Sequence, residues 1–275
     1  MGRRAGAGQG GTVTGLAAAL TDLVLPRTCA GCGVPGSVLC RSCSSRLAVP
    51  SVAAPRRVPW GFPPTVAAGA YAGPVRPAVL AFKERGRAEL AVPLGAALAL
   101  AVAVVVSAVP GPPRPVVLVP VPSSRAALRS RGRDHVRELT ARAVTELRAA
   151  GVPAAEMRLL RRRGRVRDSA GLSAAQRRAN LSGTFQRVPA RLPPEVLLVL
   201  VDDVVTTGAT LTEAAAALTQ GGSGRGAPVL AAVVAATPRI VPHKSSGSPP
   251  ARCPEPVRER PSRSSDRLSG QVNRD

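Results

Sequence analysis

The stretch VLLVLVDDVVTTGAT, residues 196–210, decides how this chain is read. Val196 to Val201 is an unbroken apolar run with no polar alternation, which suits a strand buried on both faces of a parallel sheet. Asp202 and Asp203 follow at its C-terminal end, the edge at which α/β proteins bind ligands. Two adjacent carboxylates there can accept hydrogen bonds from the vicinal hydroxyls of a ribose and can oppose positive charge developing on a sugar ring. Thr206, Thr207, Gly208, Ala209 and Thr210 then offer successive backbone N–H groups and hydroxyls at the start of a helix, a ready cradle for a phosphate. Gly208 allows the backbone to wrap closely.

Working outward, Val116 to Val121, bounded by Pro115 and Pro122, and Val229 to Thr237 are further apolar runs of strand character. Val66 to Tyr71 reads as another strand, and Arg76 to Phe82 as a helical turn. Helical spacing recurs from Ala88 to Val109, beginning near Pro93, from Leu211 to Leu218, and from His135 to Ala150. In the last of these Val136, Leu139, Ala143 and Leu147 share a face, and Gly151 ends the run. Ser123 to Gly132 reads as a polar, Arg-bearing loop, Arg158 to Asn180 as a strongly basic segment, and Gly183 to Pro194 as a turn-rich approach to the strand at 196. Strands alternating with helices predict an α/β fold with a mostly parallel sheet flanked by helices over residues 65–239. Residues 1–13 and the Ser-, Pro- and Arg-rich tail 240–275 are expected to be disordered. Residues 14–47 hold a short helix, with Leu16, Leu20, Leu23 and Val24 on one face, and then a cysteine module. Prolines 50, 55, 59, 63 and 64 mark 48–64 as an irregular linker.

In a chain of 275 residues, 45% are apolar but only Phe62, Phe82, Phe185, Trp60 and Tyr71 are aromatic, so the core must be built from Val, Leu and Ala. The same scarcity excludes aromatic stacking as the main mode of base recognition. The formal charge is +22, and every basic residue except Lys83 and Lys244 is Arg. Such an excess suits a polyanionic partner, and it is also what GC-rich coding produces alongside abundant Ala, Gly and Pro. Leu90 to Pro113 carries no charge, but Pro93 interrupts it and its dense apolar part falls short of the roughly 20 residues of a membrane span. A buried core helix is therefore expected there, with no membrane span. Asp22 and the absence of a small-residue cleavage pattern argue against a secretory signal, so a cytoplasmic location is expected.

Cys29, Cys32, Cys40 and Cys43 form two tight pairs rather than the scattered pattern of a disulfide framework. Four thiolates suit a tetrahedral structural zinc, and Gly33 permits the turn of the first knuckle. The seven residues between the pairs make this zinc-ribbon-like module compact. His135 and His243 are too isolated in sequence to be read as ligands, and Cys253 stands alone in the tail.

The run from strand through Asp-Asp to Thr-Thr-Gly-x-Thr resembles the phosphoribosyl diphosphate (PRPP) motif of type I phosphoribosyltransferases. Four cysteines, then YAGPVRPAVLAFKERGR (71–87), LVPVPSSRAALRSRGRDHV (118–136), GLSAAQRRANLSGTF (171–185) and the PRPP motif, in that order, resemble the competence protein F (ComF) family over residues 16–239. The resemblance implies a phosphoribosyltransferase-like protein that binds PRPP or a related ribose phosphate with Mg²⁺. Asp202 and Asp203 would sit on the ribose hydroxyls, Thr206 to Thr210 on the 5′-phosphate, and Ser123, Ser124 and Arg125 on the diphosphate. Many members read Arg-Gly-Phe-Asn-Gln where this chain has Arg131, Gly132, Arg133, Asp134 and His135. Arg161, Arg162, Arg163, Arg165 and Arg167 occupy the region of a mobile loop in transferases, where they could clamp pyrophosphate or touch a nucleic-acid backbone. Arg177, Arg178 and Asn180 match a family Arg-x-x-Asn segment. The resemblance also implies a role in DNA uptake, with single-stranded DNA and a DNA-translocating protein as partners. A non-catalytic nucleic-acid-binding protein is accordingly the alternative reading.

Overall fold

The computed structural model describes residues 27–163, 183–193, 195–220 and 229–238. The expectations for the N-terminal segment and its helix, for Arg165, Arg167, Arg177, Arg178 and Asn180, and for the tail with His243 and Cys253 lie outside those residues.

In chain order the cysteine module ends in a short helix α1 (Arg41–Ser44) and a 3₁₀ turn (Ser45–Leu47). Strands β1 (Ser51–Val52) and β2 (Thr65–Ala70) precede helices α2 (Val75–Glu84) and α3 (Ala91–Ser107). Strand β3 (Val116–Pro120) leads into α4 (Arg125–Arg131) and α5 (His135–Ala149). Then come β4 (Ala154–Glu156), β5 (Leu160–Arg162), β6 (Phe185–Arg187), β7 (Leu197–Val205), α6 (Ala209–Thr219) and β8 (Leu230–Ala236). Six strands form one sheet in the order β1-β2-β8-β7-β3-β4, all parallel except β1, and β5 with β6 makes a separate antiparallel pair. This is the mixed α/β, mostly parallel architecture that the apolar runs predict.

The central strands are apolar on both sides because both sides are covered. Val199, Val201 and Leu230 pack with α3, α5 and Phe82 of α2 on one side. On the other, Leu200, Ala231 and Val233 pack with Leu211 and Leu218 of α6 and Phe185 of β6. By length and composition the helical stretch Ala88–Ser107 would also pass for a membrane span. Here its Leu94, Leu98 and Val102 are fully buried against the sheet, while Val92, Leu100 and Val104 are exposed.

Four local expectations are corrected. Ser123–Gly132 is not all loop: the Ser124 hydroxyl accepts the Ala127 N–H at 3.1 Å and caps α4. Arg76–Phe82 belongs to a full helix of 10 residues rather than a single turn. The approach to residue 196 contains β6, and the linker contains β1, whose Val52 pairs with Val66. Prolines 50, 55, 59, 63 and 64 all lie outside β1, so the two-residue strand needs no N–H from any of them.

The cysteine module is packed onto the sheet rather than tethered at a distance. Leu47 lies in the same core as Val66 and Phe82. Gly69 in β2 meets the Arg46 carbonyl so closely that any Cβ would overlap it. Arg87 Nη1 donates to the Thr28 carbonyl at 2.8 Å.

Candidate functional site

Strand β7 runs on through both acids to Val205, so Asp202 and Asp203 are held by the sheet rather than by a loop. Asp203 is buried at 3% exposure. Its Oδ2 accepts from Lys83 Nζ at 2.7 Å and from His135 Nε2 at 3.1 Å, and its Oδ1 accepts the Val204 N–H at 2.7 Å. Burial works against the charge, but His135 and Lys83 outweigh it and hold the Asp203 carboxyl well below the usual carboxylate range. The same pairing raises the Lys83 pKa against the pull of its own burial. Asp202 is half-buried, and its Oδ1 accepts the Asp203 N–H at 2.9 Å. Burial and the neighbouring Asp203 charge push its carboxyl above the usual range, with Lys83 opposing.

The phosphate-type loop follows at once. Thr206 is exposed, Thr207 and Thr210 are half-buried, and Gly208 and Ala209 are buried. Gly208 has φ +75° and directly precedes α6, so the N–H groups of the first helical turn, which have no partner within the helix, face out of the loop. Glycine is required there on two counts, since a Cβ would also stand 2.7 Å from both Phe62 Cε2 and Pro55 Cγ. Parallel pairing puts Pro120 of β3 beside Val201 of β7, and the Val121 N–H donates to the Val201 carbonyl at 2.9 Å. Half-buried Ser123 and Ser124 and exposed Arg125 therefore leave the sheet at the same edge as the acids. Ser124 spends its hydroxyl oxygen on the α4 cap.

Arg162 on β5 stacks over the Phe185 ring with its guanidinium carbon 5.3 Å from the centroid. Burial lowers its pKa while the charge on Asp202 works the other way. Its Nε is buried and makes no hydrogen bond among the described residues. Arg161 turns instead to Gln186 Oε1, at 2.8 and 3.1 Å.

The sulfurs of Cys29, Cys32, Cys40 and Cys43 lie within 4.8 Å of one another. Those of Cys32 and Cys40 are 3.7 Å apart, too far for a disulfide of about 2.05 Å and near the roughly 3.8 Å expected for two thiolates about 2.3 Å from a tetrahedral metal. Burial opposes a Cys29 thiolate, yet N–H groups of Cys40, Cys32 and Gly31 bring its pKa down to about 6. The four cysteines form a cluster able to bind a metal such as zinc.

No family model matches this sequence, and no curated protein matches it either. The site is therefore argued from its own residues, and two of them escaped the sequence reading. Lys83 is one of only two lysines in an arginine-rich chain, a signal that could have singled it out. His135 lies 68 positions from Asp203, and only the packing of α5 beside β7 brings them together. Its Nδ1 is buried without a hydrogen-bond partner among the described residues.

Proposed function

We propose that the chain is a ComF-like phosphoribosyltransferase-type protein that binds PRPP or a related ribose phosphate. The observation that carries this reading is the C-terminal edge of β7. An acid pair, a left-handed Gly208 turn and a helix N-terminus stand in succession there, with the Ser123–Arg125 loop on the neighbouring strand. Asp202, half-exposed, accepts the ribose hydroxyls. Asp203, already engaged, positions Lys83 toward the anionic side of the substrate. The 206–210 loop takes the 5′-phosphate, and Ser123 with Arg125 takes the diphosphate, which arrives as its Mg²⁺ complex. In turnover the bond between the anomeric carbon and the diphosphate oxygen breaks, its electron pair leaving with pyrophosphate, while an acceptor nitrogen bonds to that carbon and releases its proton to solvent. Ionised Asp202 stabilises the oxocarbenium-like charge of the transition state. The cysteine cluster holds a structural zinc, and the protein acts in the cytoplasm.

Calorimetric titration with PRPP and Mg²⁺ tests the site without presuming an acceptor. Wild type should bind, and at mildly alkaline pH, where the Asp202 carboxyl is ionised, Asp202→Asn should weaken binding by at least about tenfold, one lost charged hydrogen bond being worth roughly 1.5–3 kcal/mol. Well-folded wild type that gives no heat with PRPP would remove the reading.

A further inference from the structure

At the edge of the sheet opposite the acids lies a cleft of about 320 Å³. Val102, Ala103 and Val106 of α3, Leu147 of α5, and the first residues of β3 and β7, Val116 and Leu197, give it apolar walls. Leu197 stands five positions before Asp202 on β7, which puts the cleft roughly 16 Å from the acid pair along the strand. The backbone around it is spent. Val116 donates its N–H to the Pro153 carbonyl at 2.8 Å and Leu197 to that of Pro115 at 2.9 Å, while Pro112, Pro113 and Pro153 have no N–H to offer. Only two lining side chains are polar, Ser107 and Arg114, and none is acidic. The Ser107 hydroxyl donates back to the Val104 carbonyl at 2.9 Å. Arg114 is half-buried and gives Nη2 to the Pro110 carbonyl at 3.2 Å, but its Nε is buried with no hydrogen-bond partner among the described residues. A charged donor taken out of water and left unpaired costs the fold free energy, so packing does not account for it.

We infer that this cleft binds a small monocarboxylate with an apolar body, its hydrocarbon against Val102, Val106 and Leu147 and its carboxylate on Arg114. Walls of Val, Leu, Ala and Pro accept hydrocarbon, whereas a sugar or a nucleobase would lose water from several polar groups and find no replacement for it. The one cation fixes the polar end, because a carboxylate takes two N–H groups of the planar guanidinium at once. A phosphate dianion would ask for further donors, and the walls have none to spare. Size follows from volume. About 320 Å³ is at the lower end of the roughly 300–1,000 Å³ of small-molecule sites, which suits a medium-chain acid rather than a long-chain lipid. The site stands on its own residues and does not require that PRPP be the ligand at the other edge of the sheet.

Octanoate and its neutral counterpart octanol are the probes, each titrated calorimetrically into the full chain. Octanoate should bind saturably at one site and octanol about tenfold more weakly, since octanol lacks the charge-assisted hydrogen bond. Arg114→Met keeps the stem and removes the charge, so it should bring octanoate down to the level of octanol and leave octanol itself unchanged. Ala103→Phe, which puts a ring into the cleft, should abolish binding of both. If that variant melts early, Ser107→Phe makes the same test from an exposed position in the lining. Three outcomes overturn the inference. Well-folded wild type that takes up no octanoate would leave the cleft a packing gap. Binding that survives both Arg114→Met and the blocking variant would put the carboxylate on other arginines of the surface. Equal affinity for octanoate and octanol would remove Arg114 from the site.

Discussion

Adjacent side chains on a strand leave opposite faces, and this separates Asp202 from Asp203. Asp203 points toward α2 and α5, where Lys83 and His135 meet its Oδ2. Asp202 is left with one backbone N–H and a charged neighbour. Their effects on stability therefore have opposite signs. A carboxyl whose pKa folding raises contributes stability at acid pH that is lost as pH climbs through the raised value. A carboxyl whose pKa folding lowers contributes stability above its unfolded value and loses it only as pH falls through the depressed one. Asp202→Asn removes the first liability and leaves the second group alone. In scanning calorimetry across a pH series, the variant should melt above wild type at mildly alkaline pH. That gap should close toward the unfolded carboxyl value near about 3.9. A gap that does not widen with pH would mean that Asp202 is ordinary. The substitution that stabilises the fold is the one expected to weaken sugar-phosphate binding, as at sites that store strain for function.

At the scale of elements, α4 shows what local chemistry does with little burial, its Arg131 pairing with Glu84 of α2 at 2.8 Å. It has only seven residues and none of them is buried, so its cap carries much of its stability. Ser124→Ala should cost about 1 kcal/mol in urea unfolding, the usual loss of a serine cap, with little change in the slope. The strands β2, β3, β7 and β8 and helices α3, α5 and α6 were legible because buried runs and one-faced spacing write themselves into sequence. β1, β4, β5 and β6 were not, since each is three residues or fewer and is stabilised by its partner rather than by its composition. The site divides in the same way. The acids and the 206–210 loop are contiguous and could be read. Lys83 and His135 reach Asp203 from separate helices, a juxtaposition that only tertiary packing makes. The expectation that all of Ser123–Gly132 is loop failed because serine before a short arginine-bearing stretch was read as a phosphate contact before it was read as a cap.

Across the whole molecule the cysteine module and the sheet share one core through Leu47. Stripping a bound metal with a chelator should therefore lower the thermal midpoint of the entire fold in a single transition rather than melt a separate finger first. Metal at about a hundredfold above its Kd would contribute about 2.7 kcal/mol by mass action. Two resolved transitions in calorimetry would show the module to be independent. The close approach of Gly69 to the Arg46 carbonyl carries this further. Strand β2 lies flush against the turn that follows the cysteines, with no side chain between them to absorb a shift, and it sits two strands from β7. A metal bound by the cysteines would then act as a rheostat for the whole sheet: when its supply runs low, fewer molecules at any instant would hold the β7 edge in working order, though none of the four cysteines belongs to β7.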